Sequence, residues 1–223
     1  LIEYVGTNFR GWQIQKKGST IQGLIQENLT KLLKEKIILN GSGRTDTGVH
    51  AIAQSAHFDC KNKIIDLIKF LKSINHFLNE DGIAITKVKK RSNKFHSRFS
   101  AKQRIYKYII FNQLSVPVIE KKRGWHVRKQ LDIDLIKKGA KKLIGTHDYS
   151  VFRASSCHAK SPIKTIKSIK IKSSKNKIEI EFNSQSFLQQ QVRSMVGCLK
   201  YLGEKKWDLK MFEKVFKSKK RIL

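Results

Sequence analysis

The sequence predicts an α+β fold made of two successive halves, each with the element order βαββαβ. Three observations point there. Apolar residues recur with strand-like alternation and with helical spacing, in the same order twice. Hydrophobic residues make up 39% of the 223-residue chain, enough for a packed core. No low-complexity linker interrupts the pattern, and Pro117 and Pro162 are the only prolines.

In the first half, "LIEYV" reads as a short strand. Ser19 followed by Gln22 fits a capping box, and Ile21, Leu24, Ile25, Leu29, Leu32 and Leu33 then form a helical stripe. "IILNG" and "AIAQSAHFDC" read as strands on either side of a glycine-rich loop. Ile65, Ile68, Leu71, Ile74 and Leu78 make a second stripe, and "IAITKV" is the closing strand. In the second half, "RIYKYIIF" is a strand, and a helix runs from about Asp132 to Ile144, with Gly145 at its C-terminal stop. "IKTIKSIKIKS" and "KIEIEF" pair around a turn near Asn176. Leu188, Val192, Met195, Val196, Leu199 and Leu202 form the next stripe, and a short helix carries Phe212, Val215 and Phe216. A closing strand for this half is missing. The order is that of a split βαβ, or ferredoxin-like, unit. The boundary is placed so that residues 1–92 form the first half and residues 93–223 the second.

Charge narrows the function. Lys and Arg total 47 against 17 Asp and Glu, a formal net of +30. Such an excess favours a polyanion, because each neutralised phosphate releases condensed counterions. The alternative is that a Lys-, Ile- and Asn-rich composition decorates an ordinary solvated surface. Cys60, Cys157 and Cys198 stand far apart with no C-x-x-C spacing, which points away from a zinc or redox site and toward a reducing cytoplasm. No apolar run reaches about eighteen residues, and the start "LIEYVGTNFRGW" lacks signal-peptide character, so neither a membrane span nor a leader is expected.

"NGSGRTDTGVHA", Asn40 to Ala51, is the segment with chemistry in it. A dinucleotide fingerprint would need a third glycine where Asp46 stands, and that carboxylate would repel a pyrophosphate. A phosphate-binding Walker loop would need Lys-Ser/Thr where Val49 and His50 stand. What remains is one carboxylate, Asp46, in a loop whose glycines permit close approach to the main chain. Arg44, two residues earlier, is placed to pair with it and keep it ionised, and an ionised, positioned Asp is a nucleophile or general base. An ordinary Asp turn with a surface ion pair is the competing reading.

"GRTDTGVHA" resembles the signature loop of the TruA-type tRNA pseudouridine synthases. "YVGTNFRGWQIQ", "FHSRFSAKQRIYKYII", "GTHDYSVFRASSC" and "FLQQQVRSMVG" are similar to further segments of that family, in family order and over most of the chain. Two departures stand out: glutamines precede Arg193 where histidines are common, and the family's terminal block with its closing strand has no counterpart. The resemblance implies two ferredoxin-like halves forming a joined sheet with a basic central cleft. It implies isomerisation of uridine to pseudouridine in the anticodon stem-loop of tRNA, with Asp46 as catalytic nucleophile and Arg44 in the same motif. It further implies that Arg193 is the partner of Asp46 from the second half, and that Tyr106 packs on the uracil. The resemblance also implies that neither cofactor nor metal is required, that tRNA is the partner, and that the protein works as a homodimer in the cytoplasm with no membrane involved. Phe9, Trp12 and Gln13 match motif positions but fit packing better than chemistry, and His50 fits a hydrogen bond in the loop. A catalytically silent RNA-binding protein with the same basic cleft is the second hypothesis, which the presence of Asp46 disfavours. A glycoside hydrolase would need two carboxylates across the bond, and the loop has one.

Overall fold

The structure is a computed structural model that describes residues 1–219. It is an α+β molecule with several sheets, and the chain divides into two compact units, Leu1–Ala101 and a second that begins at Lys102.

The first unit contains β1 (Ile2–Tyr4), α1 (Ile21–Leu33), β2 (Asn40–Gly41), β3 (Ala51–Gln54), β4 (Ala56–His57), α2 (Leu67–Leu78) and β5 (Ile83–Ile85). β1 lies at the centre of a three-stranded antiparallel sheet, flanked by β3 and β5, while β2 pairs with β4. Both helices bury their apolar stripe in one core with β1 and β5: Ile21, Ile25 and Leu29 from α1, and Phe70, Ile74 and Leu78 from α2. Each such side chain stabilises the fold by about 1.5–3 kcal/mol.

Several local expectations are corrected. The cap of α1 is Thr20, not Ser19. Thr20 is buried in an extended conformation and its hydroxyl accepts the Gly23 amide at 3.3 Å. Gln22 does not reach back to a cap; it accepts the Ile14 amide at 3.1 Å and donates to the Leu39 carbonyl at 2.7 Å. Ile65 and Ile68 lie outside the core, 87% and 68% exposed, because the helix starts at the Asp66 cap and its inward row is set by Phe70, Ile74 and Leu78. The expected strand "IILNG" forms ladder pairs only at Asn40 and Gly41. Ahead of it, the Leu39 amide donates to Gln26 at 3.0 Å and the Ile37 amide to Thr30 at 3.2 Å. A polar row on α1, Gln22–Gln26–Thr30 at spacing four, thus replaces a neighbouring strand. Asn75 of α2 does the same for β5, donating to the Ile85 carbonyl at 3.0 Å and accepting its amide at 2.7 Å.

The second unit contains β6 (Arg104–Asn112), β7 (Trp125–Val127), α3 (Ile133–Lys142), β8 (Gly145–Asp148), β9 (Ile163–Ser174), β10 (Lys177–Ser184), α4 (Gln191–Gly203) and α5 (Leu209–Lys217). Its sheet runs β7-β6-β10-β9-β8. Ile178, Ile180 and Phe182 of β10 alternate inward and share a core with Ile136 of α3, Met195, Val196, Leu199 and Leu202 of α4, and Phe212 and Val215 of α5. β7 and β8 were not anticipated. β7 pairs parallel with the end of β6 and is fastened by buried Asn112, which donates to the Val127 and Lys129 carbonyls at 2.9 and 2.8 Å and accepts the Leu131 amide at 3.0 Å. The helix α3 ends at Lys142, two residues short of the expected Ile144. Among the described residues no strand follows β10.

Candidate active site

The loop between β2 and β3 is held from several directions within the first unit. Its start is tied by Ser42, whose amide donates to the Ser55 carbonyl at 2.8 Å, and by Gln54, whose side chain donates to the Gly43 carbonyl at 2.6 Å. Its middle rests on the end of β1 and on the chain that follows it. The Trp12 amide donates to the Thr45 carbonyl at 3.0 Å, the Tyr4 hydroxyl meets the Thr45 hydroxyl at 2.8 Å, and the Gly48 amide donates to the Phe9 carbonyl at 3.3 Å. Its end is tied by His50, whose Nδ1 accepts the Gly6 amide at 3.2 Å. His50 thus ties the loop to Gly6, in the turn that follows β1. The Val49 amide closes a tight turn on the Asp46 carbonyl at 3.1 Å.

Close approach explains the glycines of the supporting segment. A Cβ on Gly6 would fall on the Val49 carbonyl, and one on Gly11 would lie 2.5 Å from the Thr45 oxygen, with a φ of +86° besides. Phe9 and Trp12 are buried beneath the loop, whereas Gln13 is exposed. Asp46 and Arg44 are both exposed on this fixed main chain.

Tyr106 and Arg193 belong to the second unit. Tyr106 sits on β6, opposite Phe182 of β10, on the face that packs toward α4. It is half-buried, and the ring of Phe187 stands edge-on to it at 5.1 Å and 85°. Sequence reasoning missed Phe187; its place in "FLQQQVRSMVG", among the segments already singled out, was the available signal. Arg193 lies in the first turn of α4, exposed. Its charge acts on Tyr108, two residues along β6 from Tyr106. Burial pushes the Tyr108 phenol up from its ordinary range, and Arg193 partly opposes that shift. The segment ahead of α4 is fixed by Gln191, which accepts the Leu188 amide at 2.7 Å, by Arg104, which donates to the Gln185 carbonyl, and by the Ala154 amide, which donates to the Gln189 carbonyl at 3.0 Å. The four residues singled out by sequence thus divide as Arg44 and Asp46 in one unit, Tyr106 and Arg193 in the other.

No helix among the described residues is long and apolar enough to cross a membrane. A family model described as tRNA pseudouridine synthase matches residues 1–100 and 140–222, which takes in Arg44, Asp46 and Arg193 and leaves Tyr106 between the two stretches. A tRNA pseudouridine synthase A from Pelagibacter ubique (strain HTCC1062) is 71% identical over 223 residues, covering 100% of this chain and 91% of the relative. A tRNA pseudouridine synthase A from Paramagnetospirillum magneticum (strain ATCC 700264 / AMB-1) is 39% identical over 222 residues, covering 99% of this chain and 86% of the relative. With matches of this extent, the chain belongs to the tRNA pseudouridine synthase family, a family of isomerase enzymes.

Proposed function

We propose that the chain isomerises uridine to pseudouridine in the anticodon stem-loop of tRNA, with Asp46 as catalytic nucleophile. The observation that carries this is the clamped loop: an exposed carboxylate stands on a main chain tied to the segment from Tyr4 to Trp12. A nucleophile held in one place avoids the entropy cost of finding its target.

The reaction breaks the bond from C1′ to N1, turns the uracil, and joins C1′ to C5. C5 loses a proton and N1 gains one, so the product is an isomer and no electron acceptor is consumed. A uridine stacked in a stem must first be extruded from it. Asp46 then assists departure of the base. Arg44 steadies Asp46 or the adjacent phosphate. Tyr106, braced edge-on by Phe187, offers its ring to the extruded uracil, and Arg193 supplies the cation that partners Asp46.

This reading takes both halves as ferredoxin-like, with their sheets joined and a basic cleft between them. The strand order supports it. In the first unit β5-β1-β3, with β4 pairing to β2, follows the fourth-first-third-second sequence of that plan. In the second, β6-β10-β9 follows its first-third-second sequence. A homodimer in the cytoplasm, implied by the family resemblance, completes the reading; sedimentation velocity tests the oligomer.

The decisive experiment incubates the protein with an unmodified tRNA transcript and maps pseudouridine. Wild type should convert uridine in the anticodon stem-loop. Asp46→Asn keeps the shape, removes the nucleophile, and should abolish conversion while tRNA binding persists. Conversion by Asp46→Asn at the wild-type rate would overturn the assignment.

A further inference from the structure

Between Gly82 and Ile119 the chain carries nine lysines and arginines and no carboxylate. Inside that stretch, residues 95–100 form an ordered turn. The Phe95 amide donates to the Ser92 carbonyl at 2.9 Å, the Ser100 amide to the His96 carbonyl at 2.8 Å, and the His96 amide to the Ser100 hydroxyl at 3.2 Å. At its centre Ser97 is only 2% exposed. Its hydroxyl donates to the Asn40 carbonyl at 2.8 Å and its amide to His57 Nδ1 at 3.2 Å. Asn40 is in β2 and His57 in β4, so the turn is fastened to the two strands at the foot of the Asp46 loop.

On this anchored turn Phe99 stands 78% exposed. The His96 ring lies 4.4 Å from it at an interplanar angle of 37°, and the Arg98 guanidinium carbon lies 5.9 Å from its centroid. A phenyl ring left in water forgoes burial worth about 1.5–3 kcal/mol. A rigid, solvent-facing ring backed by an imidazole and a guanidinium, in a stretch without carboxylates, has the make-up of a stacking platform for nucleobases.

We propose that Phe99, backed by His96 and Arg98, stacks on an unpaired base of the bound RNA, a base other than the target uridine. The proposal rests on the pseudouridine synthase reading for the identity of that RNA. A second copy of this chain fits the surface poorly, since docking it there would bring like-charged stretches together.

The test measures affinity for an unmodified tRNA transcript by fluorescence anisotropy over a range of salt concentrations. Phe99→Ala should weaken binding about five- to hundredfold. Its plot of log affinity against log salt should keep the wild-type slope, because no cation is removed. Phe99→Trp should restore affinity, and Arg98→Ala should make the slope shallower. Thermal melting should show no change for Phe99→Ala, as its ring is in solvent. Wild-type affinity of Phe99→Ala would overturn the proposal. So would a change in oligomeric state at unchanged affinity, which would assign the surface to a second copy. Pseudouridine formation by the wild type is scored separately: its absence would refute the isomerase reading, while the affinity ratio would still decide the role of Phe99.

Discussion

The backbone amide of Trp12 donates to the carbonyl of Thr45 at 3.0 Å, one residue ahead of Asp46. The bond spans thirty-three positions of sequence and fixes where the carboxylate starts from. Position 11, next to it, must stay small: an added Cβ would sit 2.5 Å from the Thr45 oxygen and 3.1 Å from the Asp46 carbonyl carbon, at a φ of +86°. Gly11→Ala should cost roughly 1–3 kcal/mol of stability from backbone strain. Because the clash falls on the loop, the pseudouridine yield should drop further than the melting temperature suggests. Gly48→Ala is the control. It has a φ of +76° but nothing within 4 Å of the new methyl, so it should lose stability without the added displacement. Equal losses of activity in the two variants, matched for stability, would argue against the clamp.

Arg193 and Tyr106 can be separated kinetically. Arg193→Ala should lower kcat/KM about 10- to 100-fold, the scale of one charge-assisted hydrogen bond. It should also raise the Tyr108 phenol further, since Arg193 now opposes the upward push of burial; ultraviolet titration of tyrosinate reads this directly. Tyr106→Phe keeps the ring and removes the hydroxyl. If the hydroxyl moves the C5 proton, the variant should cleave the glycosidic bond and stall, with tritium retained at C5. Full tritium release would confine Tyr106 to stacking.

His57 makes stability depend on pH. Burial lowers its pKa below the ordinary value of 6.5, and the neighbouring His96 lowers it further; Asp59 and the Asn40 backbone act weakly the other way. The folded state therefore disfavours the protonated ring. Its contribution to stability is fully present above the unfolded pKa and is lost as pH falls from about 6.5 through the lower folded value. The physical event is loss of the Nδ1 lone pair that accepts the Ser97 amide. Urea midpoints measured from pH 7.5 down to pH 5 should fall for the wild type. They should stay flatter for His57→Asn, whose side-chain oxygen can accept the same amide without titrating.

Much of the fold was legible because local pattern and tertiary demand agree. Ile21, Ile25 and Leu29 repeat at four residues, and that row faces the core. The alternation of Ile178, Ile180 and Phe182 likewise maps onto buried positions. Reading failed where a distant partner decides. "IILNG" has strand chemistry, but its amides are taken by Gln26 and Thr30, so most of it never joins a ladder. "WHV" is too short to signal a strand and becomes one through parallel pairing and the bonds of Asn112. For the candidate site, the residues proposed to bear chemistry stood out in sequence. The supports of Asp46 did not, since Gly6, Phe9, Gly11 and Trp12 act through backbone atoms and absent methyl groups that leave no local pattern.

The polar row on α1 bears on anyone who would engineer this protein. Gln22, Gln26 and Thr30 look like interchangeable surface positions, where alanine or leucine would raise helix propensity by a few tenths of a kcal/mol. Each instead answers a main-chain group of the segment 37–39, and replacing all three would strand two amides and a carbonyl beside a buried Ile37 and Leu39. A propensity-guided redesign of α1 would then expose an unsatisfied strand edge, open to pairing with another molecule, and its first symptom would be aggregation rather than a lower melting point.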